Sequence, residues 1–168
     1  MDRRARRLRT GTLTRRLGAS LLAATWAVLA AACADPVQDD GTLRCDTETR
    51  ADIYAPDMMA VGNDGLFRIR LLESVPGPPE KGDNNFTIEL LEGGADVAVP
   101  DATLSVTPFM PDHNHGTSIV PTVTPATQAG QYEIDRINLW MPGLWEVRID
   151  VDDQTDTDEV VFSFCIEG

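Results

Sequence analysis

The chain predicts an all-β domain, an antiparallel, immunoglobulin-like β-sandwich of about seven strands. Three observations carry that prediction. Short runs alternate apolar and polar residues with the period of two that strands require. Proline and glycine cluster between those runs. Helical periodicity is nearly absent from the 136 residues that follow an N-terminal export segment, a length suited to one domain.

The first element is an address. Arg3, Arg4, Arg6, Arg7, Arg9, Arg15 and Arg16 form a basic flank, and Leu17 to Ala32 is apolar and uncharged. That run is shorter than the roughly 20 residues of a membrane-spanning helix. A basic flank, a short apolar core and small residues before a cut describe a secretory signal peptide over residues 1–32. Leu29-Ala30-Ala31-Ala32-Cys33 resembles a bacterial lipobox, with leucine one place early. That resemblance implies a lipidated Cys33, a tether over residues 33–44 and a β-sandwich domain over 45–168. The expected location is the bacterial cell envelope, with the domain in the periplasm or at the outer surface. The expected membrane contact is through the lipid.

Charge agrees with an exported domain. The chain carries −13, but residues 1–32 hold seven of its 14 basic residues and one of its 27 acidic ones. Seven basic and 26 acidic residues remain, a net of −19. So acidic a domain repels nucleic acid and anionic head groups. With Cys33 lipidated, Cys45 and Cys165 remain as an even pair in an oxidising compartment. A bridge between them closes a loop of 120 positions; the alternative is two free thiols.

The strands follow in order. Leu66 to Glu73 sets Phe67, Ile69 and Leu71 against Leu66, Arg68 and Arg70. Pro76-Gly77-Pro78-Pro79 makes Ser74 to Asp83 a loop. Asn85 to Leu91 turns Phe86, Ile88 and Leu90 inward, and Glu92 to Asp96 is a turn. Thr103 to Phe109 is a further strand, and Ser118 to Thr124 is an edge or irregular one because Pro121 removes a ladder donor. Gln131 to Leu139 offers Tyr132, Ile134, Ile137 and Leu139 to the core. Leu144 to Val151 offers Trp145, Val147, Ile149 and Val151, and Glu159 to Ile166 closes the set. Trp140 and Trp145 are expected to cap or fill the core, and Met58-Met59 to sit in a packed loop.

Chemistry concentrates in one segment. The only two histidines lie two positions apart in Phe109-Met110-Pro111-Asp112-His113-Asn114-His115-Gly116. In an extended segment both point to the same side and fit one metal ion. Met110 adds a thioether, and Met141 in Met141-Pro142-Gly143 offers a second. Imidazole with thioether suits copper better than calcium or magnesium. The candidate metal site is therefore Met110, His113, His115 and Met141, with Asp112 able to orient a histidine. The same letters also make a polar turn, with the methionines in the core or at its rim.

Other chemistries find no support. Asp150 to Glu159 resembles a calcium loop but lacks glycine at the sixth place and glutamate at the twelfth, so it reads as a solvated hairpin turn. No G-x-S-x-G and no phosphate-cradling glycine loop occur.

Four motifs in order carry a family resemblance: Gly82-Asp83-Asn84-Asn85-Phe86, the Met110 to Gly116 segment, Gly130-Gln131-Tyr132, and Met141-Pro142-Gly143-Leu144-Trp145-Glu146-Val147. Together they resemble the YtkA-like and FixH-like domains of bacterial envelope proteins, small β-sandwiches, over roughly Leu66 to Ile166. FixH-like members are linked with maturation of a copper-containing cytochrome oxidase and its associated cation pump. The resemblance implies envelope location and a copper connection, and no enzymatic reaction. The chain differs from FixH in carrying a lipoprotein signal instead of a spanning helix. Two functions are expected from this reading. One is a non-enzymatic, lipid-anchored copper-handling protein. The other is a metal-free assembly module that presents Met110–Gly116 to an envelope protein partner.

Overall fold

The computed structural model describes residues 45–168. The expected signal peptide, the expected tether and Cys33 lie outside the described residues. Nine strands form: β1 (Met58–Val61), β2 (Phe67–Val75), β3 (Gly82–Glu92), β4 (Thr103–Met110), β5 (His115–Gly116), β6 (Thr122–Pro125), β7 (Gln131–Leu139), β8 (Gly143–Asp152) and β9 (Thr157–Ile166). One sheet has the order β1-β2-β3-β7-β6, the other β5-β4-β8-β9. All pairings are antiparallel. The fold is the predicted all-β sandwich, with nine strands instead of seven. The two extra strands, β1 and β5, are four and two residues long. Such segments are too short to display an alternation, so Met58-Met59 opens a strand where a loop is expected. The strand expected at Ser118 to Thr124 is shorter and later, at β6.

Alternation places the core. Phe67, Ile69 and Leu71 of β2 face Phe86, Ile88 and Leu90 of β3 within their sheet, and all are buried. Trp145, Val147, Ile149 and Val151 of β8 come from the opposing sheet. Trp145, Phe86 and Phe162 are the largest fully buried side chains, and Phe86 meets Phe164 edge to face at 5.9 Å. On β7 the inward residues Ile134 and Ile137 are three apart, which breaks the period of two. A bulge supplies the reason. The β3–β7 register shifts between Asn84 and Phe86, Arg136 takes a left-handed φ of 62°, and its N–H donates to Asn85 Oδ1 at 3.0 Å.

β9 has a strand neighbour on one side only. Its other edge is covered by irregular chain. Asn63 N–H donates to the Glu159 carbonyl at 2.9 Å, and Asp52 N–H to the Ser163 carbonyl at 2.7 Å. Ser163 N–H donates back to Asp52 Oδ2 at 2.8 Å. Cys45 and Cys165 form a disulfide across 120 positions. Edge coverage of this kind denies a long strand to other chains.

Asp158 fastens the same edge from within. Its side chain is buried, at 7% exposure. The carboxylate accepts the N–H groups of Asp64 at 3.0 Å, Leu66 at 3.0 Å, Phe67 at 3.4 Å and Glu159 at 2.8 Å. It thereby ties the β1–β2 turn of one sheet to the end strand of the other. A Cβ at Gly62 would collide with this carboxylate, so the turn requires glycine there. Burial pushes the carboxyl upward, but the four backbone donors together override it and hold it below the usual range. Elsewhere in the acidic run the expected solvated turn forms: Asp152 accepts Gln154 N–H, and Asp153 accepts those of Thr155 and Asp156.

Replacing Asp158 by asparagine should cost roughly 1.5–3 kcal/mol at neutral pH, the range for hydrogen bonds to a charged acceptor. Because the folded pKa is lowered, the contribution is present above the ordinary unfolded value of about 3.9 and is lost as pH falls through the folded value. Denaturant unfolding of the parent and of Asp158→Asn should therefore differ at neutral pH and converge in acid.

Candidate functional site

The Met/His segment lies at one end of the sandwich. The end of β4, strand β5, the end of β7 and the start of β8 meet there. Pro111 to Asn114 turns the chain between β4 and β5, with Asn114 in the left-handed region at φ 53°. β5 then pairs back on β4 through Phe109↔Gly116 and Met110↔His115. His113 is exposed and His115 half-buried. Their rings lie 5.6 Å apart at 46°. The His115 ring stacks on Trp140 at 5.7 Å and 23°. Trp140, expected to cap or fill the core, therefore caps the histidine and stays 49% exposed, while Trp145 fills the core at 0%.

His115 Nδ1 lies 3.1 Å from the Gly116 carbonyl oxygen. A carbonyl can only accept, so Nδ1 is the donor in this contact and Nε2 is the ring nitrogen not engaged by it. A metal-bound imidazole sits with its centroid about 3 Å from the ion, so two rings sharing one ion lie roughly 4.5–6 Å apart. The His113–His115 spacing falls in that range.

The two methionines occupy different settings. Met110 is buried at 1%, opposite His115 in the ladder. Its Cε fills the space where a Cβ at Gly143 would stand, and Gly143 has φ 140°. Met141 is half-buried and packs against the core. Its carbonyl accepts the Trp145 indole N–H at 2.9 Å, which fixes the Met141-Pro142-Gly143 turn to the core. Among the described residues, no group of three or more His, Cys, Asp or Glu is arranged to hold a metal ion.

Sequence reasoning missed Arg50. Its guanidinium donates to both Asp112 oxygens at 2.7 Å and to both Glu48 oxygens at 2.9 and 2.6 Å. Arg50 lies 62 positions from Asp112, so no local pattern announces the contact. The bonded guanidinium holds the Asp112 and Glu48 carboxyls below the usual range, with partial burial opposing it.

The remaining motifs have physical roles around this end and across the fold. Gly82 takes φ 110°. The fully buried Asn84 accepts Glu80 N–H at 2.9 Å and donates to the Glu80, Gly82 and Ile137 carbonyls, which shapes the entry to β3. Gly130 takes φ 78°, and the Tyr132 hydroxyl accepts Ala102 N–H at 3.0 Å, tying the β3–β4 connection to β7.

A two-sheet antiparallel sandwich with a His/Met turn at one end, a G-x-N entry, a G-x-Y turn and a core Trp after M-P-G defines a specific class of small β-domain. The YtkA-like family model matches residues 55–150. The chain belongs to the YtkA-like family. The match begins before the Leu66 limit inferred from the motifs and ends within β8, so β9 and the disulfide lie beyond it. No curated relative and no solved structure matches the chain.

Gly143→Ala should force both a disfavoured φ and a clash with Met110, at a cost of roughly 1–3 kcal/mol. Thermal unfolding checks the loss. An unchanged midpoint would mean that Met110 is not packed under this turn.

Proposed function

We propose that this chain is a non-enzymatic, lipid-anchored protein of the cell envelope that binds copper through His113 and His115, with Met110 and Met141 as sulfur donors. Its role on this reading is copper handling or assistance to oxidase assembly, as the FixH-like resemblance implies. The observation that carries the proposal is the histidine pair: two rings at a spacing that fits one ion, with the backbone contact of His115 made by Nδ1 and not by Nε2. A ligating histidine commonly donates its other N–H to a backbone carbonyl in this way. On this reading Met110 and Met141 supply the remaining donors, and thioether beside imidazole favours Cu(I) over zinc. The strongly acidic domain also favours cations over nucleic acid.

Titration of the chain with Cu(I) and Cu(II) tests this. Binding tighter than micromolar is expected. His113→Ala with His115→Ala should weaken it by at least the order of 100-fold that even outer-shell changes can reach. Absence of such binding, or its survival in the double variant, would contradict the proposal. Cu(II) should also quench Trp140 fluorescence, because His115 stacks on it; Trp140→Phe should remove most of that response.

A second reading is a metal-free assembly module that presents Met110–Gly116 to an envelope partner. The half-exposed Trp140 beside the histidines favours it, since exposed aromatics anchor interfaces. Capture of a partner that depends on the loop and ignores chelators would select this reading over the first.

A further inference from the structure

We infer that Arg50 is a positioning residue: it couples the disulfide-anchored N-terminal segment to the turn that carries His113 and His115, and so sets the separation of the two imidazoles. The inference rests on the copper reading for its functional meaning. Its geometric content stands apart from that reading.

Three observations support it. First, the turn has little else to hold it. Asp112, His113 and Asn114 are exposed, and β5 contributes only a two-residue ladder to β4. Within Pro111–Asn114, Asp112 is the one side chain hydrogen-bonded to another part of the chain among the described residues. Second, the Arg50 fork is used from both sides. Asp112 takes Nη1 and Nη2, while Glu48 takes Nε and Nη2. A planar guanidinium bonded in this way cannot swivel, whereas an ammonium offers a single point of charge. Third, the platform behind Arg50 is fixed. Glu48 is nearly buried, at 8% side-chain exposure. Its N–H donates to the Cys45 carbonyl at 3.2 Å, and Cys45 is bonded to Cys165 at the end of β9. Beyond Arg50, Asp52 pairs with Ser163. The segment is thus held on both sides of the arginine.

The Arg50–Asp112 pair is about half exposed at each partner, and such pairs add little to global stability. Its effect is therefore expected in the turn and not in the melting point. Mass-spectrometric hydrogen exchange over residues 110–116 reads the turn in the metal-free full chain, purified in detergent. Arg50→Gln and Asp112→Asn should each accelerate exchange at His115 and Gly116 and leave exchange in β8 unchanged. Each should also weaken Cu(II) binding roughly tenfold, as changes behind a ligand do. The combined variant should lose no more than either single one, because both remove one interaction. Arg50→Lys should recover less than half of the effect, and Cys45→Ser with Cys165→Ser should loosen the same amides. Should the cysteine variant not fold, the Arg50 and Asp112 variants carry the test alone.

Parent-like exchange at residues 110–116 in Arg50→Gln would overturn the inference, as would additive losses or full recovery by lysine. If the parent binds no Cu(II), the copper reading falls, and the exchange data still decide whether Arg50 positions the turn.

Discussion

The structure depends most on how the free edge of β9 is closed. A ten-residue strand with one neighbour exposes a row of backbone donors and acceptors, and a sandwich that leaves them open invites pairing with other chains. Here irregular segments from the opposite sheet and from the N-terminal side cover that edge. The Asp158 carboxylate, the Asn63 and Asp52 contacts and the Cys45–Cys165 bond do this along the length of one strand. The hydrophobic core supplies the larger share of stability, but it does not choose how the two sheets join at their margins. The edge contacts do.

The same closure reaches the candidate site. Covering β9 requires residues 45–54 to run beside it, and that path brings Arg50 within reach of Asp112. A structural need at one strand therefore delivers a guanidinium to the histidine turn. Met110 and Trp145 connect the site to the core from the other direction: one packs under Gly143, the other holds the Met141 carbonyl. The histidine turn looks like an exposed loop in sequence, yet Arg50 braces it from the side through Asp112, while the core fixes the neighbouring Met141–Gly143 turn.

Most of the sheet framework was legible in the sequence. The alternating runs of β2, β3, β7 and β8 put Phe67, Phe86, Tyr132 and Trp145 inward, because half-buried strands force a period of two, and β4 and β9 were legible as strands without an assigned inward face. β1 and β5 were not legible, since two to four residues cannot show a period. The inward turn of Asp158 was hidden in a run of acids that all read as solvated; only its partners on the β1–β2 turn distinguish it. The histidine pair was visible as composition, but the Trp140 stack was not. Trp140 reads in sequence as a packing residue, and its neighbour His115 lies 25 positions earlier. Family membership adds the order of motifs, and the structure gives each a physical reason: positive φ at Gly82, Gly130 and Gly143, a buried amide at Asn84, a buried phenol at Tyr132 and a core indole at Trp145.

We propose a mixed imidazole–thioether copper site at this end of the sandwich. X-ray absorption spectroscopy of the Cu(I)-loaded chain tests it most directly, because nitrogen and sulfur neighbours scatter differently. Both kinds of neighbour are expected at the copper, with the sulfur contribution reduced in Met110→Leu or Met141→Leu and the imidazole contribution lost in His113→Ala with His115→Ala. A copper shell without sulfur, or one unchanged by these substitutions, would contradict it.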